Sequence, residues 1–490
     1  MKATVSREEQ GMAGESIKIS IFLTGYLLVS PIVWVMLVIK GMLYSCSSSM
    51  EPKMDDILQK IREQFDYALY PRHPLEKSPK DDLDVLFIHN LTTPYYLRYR
   101  QRPPQDLVIL DAGCGSGYKA LALALANPGA RIVGIDLSPK SVELARQRLA
   151  FHQITNCEFH VLAIDDVSEL GQTFDYINCD EVLYLAPDPV ATLRNLKKVL
   201  KPQGIMRVNL HNLCQRRYYF QAQEFFSLLG LMRDNPEEFE LKTVQEIMEQ
   251  LADRCELKWV TWSKDFSGSL DEKTIQFILM NYLFQGDKGF TIPQLFKYLE
   301  QAELEFIEMV DWPKWQLKSL FKDPDNLPTA LALALEEATP AEVLHLVNLL
   351  HPAQRLLDLW CGHPNVAPPV VPQGQAMVSL HPQLRHEVVQ KAWQEHLQGG
   401  RPLVLSDYLK VPVQGALQTE KVEIDAIALG ALWPLFEGTQ SFESLLQRWL
   451  QLYPRDLLTL EPVPVDVART MLRELLLLLN RYLYVLLTVE

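Results

Sequence analysis

The sequence predicts an α/β protein built on a parallel sheet, and three observations carry that expectation. The run Leu107-Val108-Ile109-Leu110 is apolar without alternation, as a strand buried on both faces requires. Alternating glycines follow in Asp111-Ala112-Gly113-Cys114-Gly115-Ser116-Gly117, and then a helix-forming stretch from Tyr118 to Ala126. A second apolar run from Arg131 ends in Asp136, about 20 residues beyond the loop, where a βαβ unit delivers a carboxylate to a ribose diol. Glycines without Cβ atoms let the backbone turn sharply and bring its N–H groups up to a ligand at a helix start. Together these features predict a nucleoside-cofactor site.

The spacing decides between cofactors. A dinucleotide loop needs glycine or alanine at position 118 to bring helix and strand together, and Tyr118 stands there. The order acid, G-x-G-x-G, then an acid after the second strand resembles motif I of the class I S-adenosylmethionine (SAM)-dependent methyltransferases. That resemblance implies a Rossmann-like sheet and SAM as cofactor, with Asp111, Gly113, Cys114, Gly115 and Gly117 forming the loop beside the methionyl part. It also implies that Asp136, followed by Leu137, holds the ribose hydroxyls.

The remaining elements follow in order. Ahead of the loop, Leu58, Ile61, Phe65 and Leu69 recur at helical spacing, and Tyr70-Pro71-Arg72-His73-Pro74 forces an extended path. The resemblance makes Tyr67, Tyr70 and Tyr95 candidates for a lid over the cofactor, against the alternative of plain packing. Ser138 caps a helix from Pro139 to Ala150, with proline at its first position. Cys157 to Leu162 is a third strand leading to Asp165 and Asp166. By the resemblance, Asp165 accepts from the adenine amino group and the backbone N–H of Asp166 meets a ring nitrogen. Phe174 to Asp180 is a fourth strand, Asp188 caps the next helix, and Lys201-Pro202-Gln203-Gly204 precedes a fifth strand, Ile205 to Leu210. This series is similar to the F-D-x-I, V-L-H and L-K-P-G-G segments of the same family. Ligands sit beyond the carboxyl ends of parallel strands, so Cys179 to Tyr184 is expected to border the transferred methyl.

A helical insertion is expected at about 215–300 and a sixth strand from Leu304 to Val310, with the methyltransferase domain spanning 50–322. No seventh strand is placed. Leu357-Asp358-Leu359-Trp360-Cys361-Gly362 echoes the first loop, but it has one glycine followed by His363-Pro364 and reads as core within a helical connector, 323–375. Residues 376–490 read as a helical or winged-helix-like domain, with a helix from Ser441 to Leu452 and a final one from Val465 to Leu487. The whole arrangement looks like the bacterial methyltransferases with a C-terminal methyltransferase regulatory domain, a group that includes protein-lysine methyltransferases. The Tyr-Pro segment, the core, the insertion and Leu435-Phe436-Glu437-Gly438-Thr439 carry that likeness.

Composition bounds the function. The 490 residues exceed one core, and a net charge of −14 argues against a nucleic-acid partner. Seven scattered cysteines without a C-x-x-C pair suggest neither a disulfide framework nor a metal site, and fit a cytoplasmic protein. Residues 1–49 complicate this, because Ile19 to Ile39 is uncharged and long enough to span a bilayer. An anchor to the cytosolic face of a membrane, a secretion signal near Cys46, and an upstream extension before Met50 are the three readings it allows. The expected activity is methyl transfer from SAM to a protein side chain or small molecule, the alternative being a non-catalytic SAM-binding scaffold. No residue is required to be catalytic by the chemistry. Asp180, Glu181, Tyr184 and His211, at strand ends, are candidates for positioning or deprotonating the acceptor, or simply pocket wall.

Overall fold

The structure, a computed structural model, describes residues 59–64, 73–364, 376–411, 421–456 and 458–488. Ile19 to Ile39, Tyr67 and Tyr70 lie outside the described residues. Two short helices, α1 (Leu83–His89) and α2 (Thr92–Tyr99), precede the sheet. Then β1 (Val108–Ala112), α3 (Tyr118–Ala126), β2 (Arg131–Asp136), α4 (Pro139–Phe151) and β3 (Cys157–Val161) follow the expected alternation. Ser138 caps α4 by accepting from Ser141 N–H at 3.1 Å, and proline opens the helix. After β4 (Phe174–Cys179), Asp188 caps α5 (Pro189–Val199) in the same way, and the long β5 (Leu200–Asn212) follows.

Strands β1 to β5 are parallel, and β1 lies between β2 and β4. The chain therefore reverses direction across the sheet at β1, which opens a crevice at the carboxyl ends there. Successive residues serve opposite cores. Ile109 packs with Leu121, Val142 and Leu149 on one face, while Leu110 packs with Leu193, Leu196 and Leu295 on the other.

Beyond β5 the structure corrects the expected boundaries. The insertion comprises α6 (Leu213–Leu228), α7 (Glu238–Gln250), α8 (Glu256–Thr261) and α9 (Glu272–Asn281), with a core of its own around Phe226, Val244, Met248 and Tyr282. It ends before β6 (Gly289–Phe290), which pairs with the end of β5. The next helix, α10 (Ile292–Gln301), buries Ile292, Leu295 and Leu299 against the sheet, so it belongs to the sheet and not to the insertion. A sixth strand, β7 (Glu305–Met309), stands where expected. The domain does not end near residue 322, however. After α11 (Thr329–Glu337) and α12 (Pro340–Leu350), the run Leu356–Gly362 forms β8, antiparallel between β5 and β7. The order is β3-β2-β1-β4-β5-β8-β7. The segment that echoes the first loop is thus the missing strand, and its apolar residues reflect burial in the sheet, with Leu357, Leu359 and Cys361 wholly inaccessible.

The C-terminal region is helical with small sheets. It contains β9 (Met377–Leu380), α13 (Glu387–Gly399), the pair β10 (Leu403–Val404) and β11 (Glu423–Ile424), α14 (Ala426–Leu432), β12 (Gln440–Ser441), α15 (Phe442–Leu452) and α16 (Val465–Arg481). The expected final helix stops at Arg481, because Leu483 adopts a left-handed φ of 56° and the chain leaves as β13 (Val485–Thr488), antiparallel to β9. Among the described residues no helix is long and apolar enough to cross a membrane. This region packs on α1 and α2. Tyr96 Oη donates to Leu487 O at 3.1 Å, Asp84 accepts from the N–H groups of Lys410 and Val411, and Thr93 Oγ1 lies 3.1 Å from His381 Nε2.

His381 is wholly buried against Phe87, and burial lowers its pKa from 6.5 to about 3. A base held neutral in the fold contributes fully above pH 6.5. That contribution fades as pH falls towards 3, because the unfolded chain alone takes up the proton. His381→Gln should therefore reduce the fall in melting temperature between pH 7 and pH 5, read by circular dichroism. An unchanged slope would show that His381 does not titrate on unfolding.

Candidate functional site

The site is built at the crevice, from the glycine turn outward. Gly113 has φ +81°, and a Cβ there would strike the side chain of Val182. The N–H groups of Gly113 and Cys114 donate to Ile135 O at 2.8 and 2.9 Å, which ties the turn to β2. Asp136 completes the cradle. Its Oδ2 accepts from Gly115 N–H and its Oδ1 from Ser138 N–H, both at 2.9 Å. One carboxylate thus fixes both the loop and the cap of α4.

A cavity of about 610 Å³ opens over this turn, within the usual range for a bound cofactor. Gly113, Cys114, Gly115, Asp136, Leu137 and Asp165 line it. Asp165 is held by Thr192 Oγ1 at 3.1 Å and Asn195 Nδ2 at 3.3 Å. The other expected residues lie behind the wall. Gly117, at φ +79°, would place a Cβ 2.7 Å from Ala145 Cα, so this third glycine serves the close approach of α3 to α4. Asp111 is buried and accepts from Asn178 Nδ2 at 2.8 Å, and burial raises its pKa to about 6. Cys179 is in the apolar core. Asp166 is exposed, and its N–H is bonded to Ala163 O at 3.1 Å within a 3-10 turn.

Residues ahead of the sheet close the cavity. Arg148, wholly buried, donates from Nε to Ser116 O and from its two Nη atoms to Pro74 O and His73 O, all at 2.7–2.8 Å. The guanidinium straps this segment to the glycine turn, and the His73 ring lies 4.4 Å from that of Tyr118. Tyr95, a candidate lid residue, is packing instead, since its buried hydroxyl donates to Asp175 O at 3.1 Å.

Along the carboxyl edge from β4 to β8 the cavity wall is ionic. Lys119 Nζ lies 2.5 Å from Asp180 Oδ2 and 3.9 Å from Glu181 Oε1. Arg207 Nη1 is 3.5 Å from Asp180 Oδ2, and its Nε and Nη2 donate to Asp358 at 3.0 and 2.7 Å. Burial alone would raise the Asp180 pKa, but Arg207 and Lys119 outweigh it and hold the group well below the usual carboxylate range. Glu181 has a left-handed φ of 63°, unusual for a residue other than glycine. Its N–H donates to Asn209 Oδ1 at 2.8 Å and its carboxylate accepts from Arg355 Nη2 at 2.8 Å. Backbone strain of this kind persists where the surroundings over-determine it, commonly at functional sites.

Of the candidates beyond the cofactor loop, Asp180, Glu181, Tyr184 and His211 all line the cavity. The sequence reading missed His89, Lys119 and Arg355, which line it too. Lys119 was findable as the second residue of the helix after the loop, whereas Arg355 was not, because the strand it precedes was unassigned. His89 Nδ1 is bonded to Val85 O at 2.8 Å, and its buried Nε2 has no partner among the described residues.

A methyltransferase-domain family model matches residues 104–276. With the sheet order and the glycine turn on β1, that match decides the class. Residues 104–276 are a class I methyltransferase domain. Its residues fit the adenosyl sulfonium that such domains take, with a glycine turn that no Cβ crowds at Gly113 and Gly115, a carboxylate one strand away and a buried imidazole acceptor.

The domain is 34% identical over 112 residues to a ubiquinone biosynthesis O-methyltransferase of Neisseria meningitidis, covering 22% of this chain and 46% of that one. Its counterpart in Haemophilus ducreyi is 29% identical over 160 residues, 31% of this chain and 66% of that one. The chain thus spans from about half to two thirds of these relatives. A protein of unknown function from a Synechococcus strain is 27% identical over 311 residues, 63% of this chain and 72% of its own. In fold, the chain is similar to PKMT2 from Rickettsia typhi, with a TM-score of 0.52 at 17% identity over 82% of this chain and 75% of that one.

Removing Arg207 leaves the buried Asp358 carboxylate without its guanidinium and Asp180 with Lys119 alone. Arg207→Met should cost about 3–5 kcal/mol of stability, read by urea denaturation. A loss below about 1 kcal/mol would mean that Asp180 and Asp358 do not depend on it.

Proposed function

We propose that this chain transfers the methyl group of S-adenosylmethionine to an acceptor that enters beside Glu181 and His211. The observation that carries the reading is the glycine turn locked by Asp136 at the mouth of the cavity. The backbone of the turn and the carboxylate brace each other there. In this reading Asp136 holds the ribose hydroxyls, Gly113 to Gly115 lie against the methionyl part, and Leu137 and Asp165 border the adenine. Asp111, Gly117 and Cys179 act from behind by shaping the turn.

Transfer from a sulfonium is an in-line displacement with the leaving group built into the cofactor. The protein supplies alignment and exclusion of water, and orientation alone can be worth roughly 7–11 kcal/mol. The strap through Arg148 and the helical insertion serve that exclusion. The O-methyltransferase relatives bear on acceptor chemistry, whereas the protein-lysine group of the sequence resemblance points to a side-chain amine.

Asp136→Ala should weaken SAM binding about 10- to 150-fold, because a hydrogen bond to a charged group is worth about 1.5–3 kcal/mol. Isothermal titration calorimetry with SAM measures this, and a melting curve checks that the fold is kept. Binding within twofold of the parent chain would remove Asp136 from the site.

A further inference from the structure

His211 ends β5 at the carboxyl edge of the sheet and lines the cavity. Its two ring nitrogens meet partners of opposite kind. Nδ1 lies 2.6 Å from Asp287 Oδ1, and Nε2 lies 3.1 Å from Arg355 Nη1. A carboxylate accepts and a guanidinium donates, so the proton sits on Nδ1 and the lone pair on Nε2. The carboxylate behind the ring is itself fixed. Arg216 Nη2 and Gln223 Nε2 each donate to Asp287 Oδ2 at 3.0 Å, and the Asp287 side chain is fully buried. Tyr184 stacks on the imidazole at 3.7 Å and 15°, which sets the ring plane. Burial lowers the His211 pKa to about 4, against the opposing pull of Asp287, so the imidazole is neutral at pH 7 and keeps the lone pair on Nε2.

We propose that His211 is the general base of methyl transfer, oriented by Asp287, and that the acceptor is a hydroxyl group. The proposal rests on the transferase reading above. The acceptor O–H takes the place of Arg355 on Nε2, while the other arm of Arg355 stays on Glu181. As the acceptor oxygen forms its bond to the methyl carbon, its proton passes to Nε2. The carbon–sulfur bond breaks, with its electron pair left on sulfur. The positive charge that leaves the sulfonium thus reappears on the imidazole, next to Asp287.

The charges around the ring select against a protonated amine. Lys119, Arg216 and Arg355 face this end of the cavity, and Asp180, Asp287 and Glu181 are each already paired with one of them. An arriving ammonium would meet three cations and compete for carboxylates in use. A hydroxyl brings no charge and needs the base that is present.

The test uses the full chain, SAM with a tritiated methyl group, and bacterial lysate as the source of acceptor. His211→Gln and Asp287→Asn should bind SAM within twofold of the parent and melt within a few degrees of it. The first should lose transfer at least 100-fold, and the label made by the parent should be released as methyl iodide by hot hydriodic acid, as from a methyl ether or ester. Nitrogen-15 NMR of histidine-labelled protein should show His211 protonated on Nδ1, a signature that Asp287→Asn shifts and a merely structural role would not require. Transfer by His211→Gln within tenfold of the parent, label that resists hydriodic acid as N-methyl groups do, or a proton on Nε2 would each overturn the proposal. A parent chain that binds no SAM, or binds it and transfers nothing, would instead count against the transferase reading and take this inference with it.

Discussion

The guanidinium of Arg207 is the contact on which the late strand, the ionic wall and the edge of the cavity all depend. It stands on β5 in the middle of a sheet, nearly inaccessible, where an unpaired charge would be untenable. Its fork meets Asp358 on β8, and a remaining nitrogen reaches Asp180 beyond β4. The planar, two-pronged geometry suits a carboxylate that has no water to help it. Asp180 is thereby fixed as an anion that can hold Lys119 against the cavity. A sheet strand therefore organises the charges that border the cavity.

The cofactor half of the molecule was legible because its information is local. Strand, turn, helix and strand lie within some thirty residues, and each glycine and acid has a positional meaning there. Even so, the sequence did not separate residues that touch the cavity from those that shape it. Gly117 and Asp111 belong to the same motif as Gly113 and Asp136, yet one seats a helix and the other braces β4. That difference lies in helix packing, which spacing along the chain does not encode.

The other half was less legible because its pairings are distant. The strand Leu356–Gly362 bonds to partners on both sides, and both lie far back along the chain, β7 beyond two helices and β5 beyond the insertion as well. A buried strand flanked by buried strands looks the same wherever it occurs, which is why it imitated the first loop. The last helix misled for a related reason. Its leucine-rich run continues into residues that a single left-handed turn at Leu483 converts to a strand. Arg355 and Asp287 stayed invisible because loops between such elements bring them to His211, and no periodicity marks them.

The position of β8 between β5 and β7 has a consequence for how the protein is made. Strands β1 to β5 leave the ribosome first and can pair as they emerge, but β5 keeps a bare row of backbone donors and acceptors along one side. The strand that covers it is translated only after the insertion, β6, α10, β7 and two more helices. Open sheet edges invite pairing with other nascent chains, so the growing polypeptide passes through a vulnerable interval during synthesis. The surface helices of the insertion are synthesised at the start of that interval, and the chain closes it by returning to the middle of its own sheet.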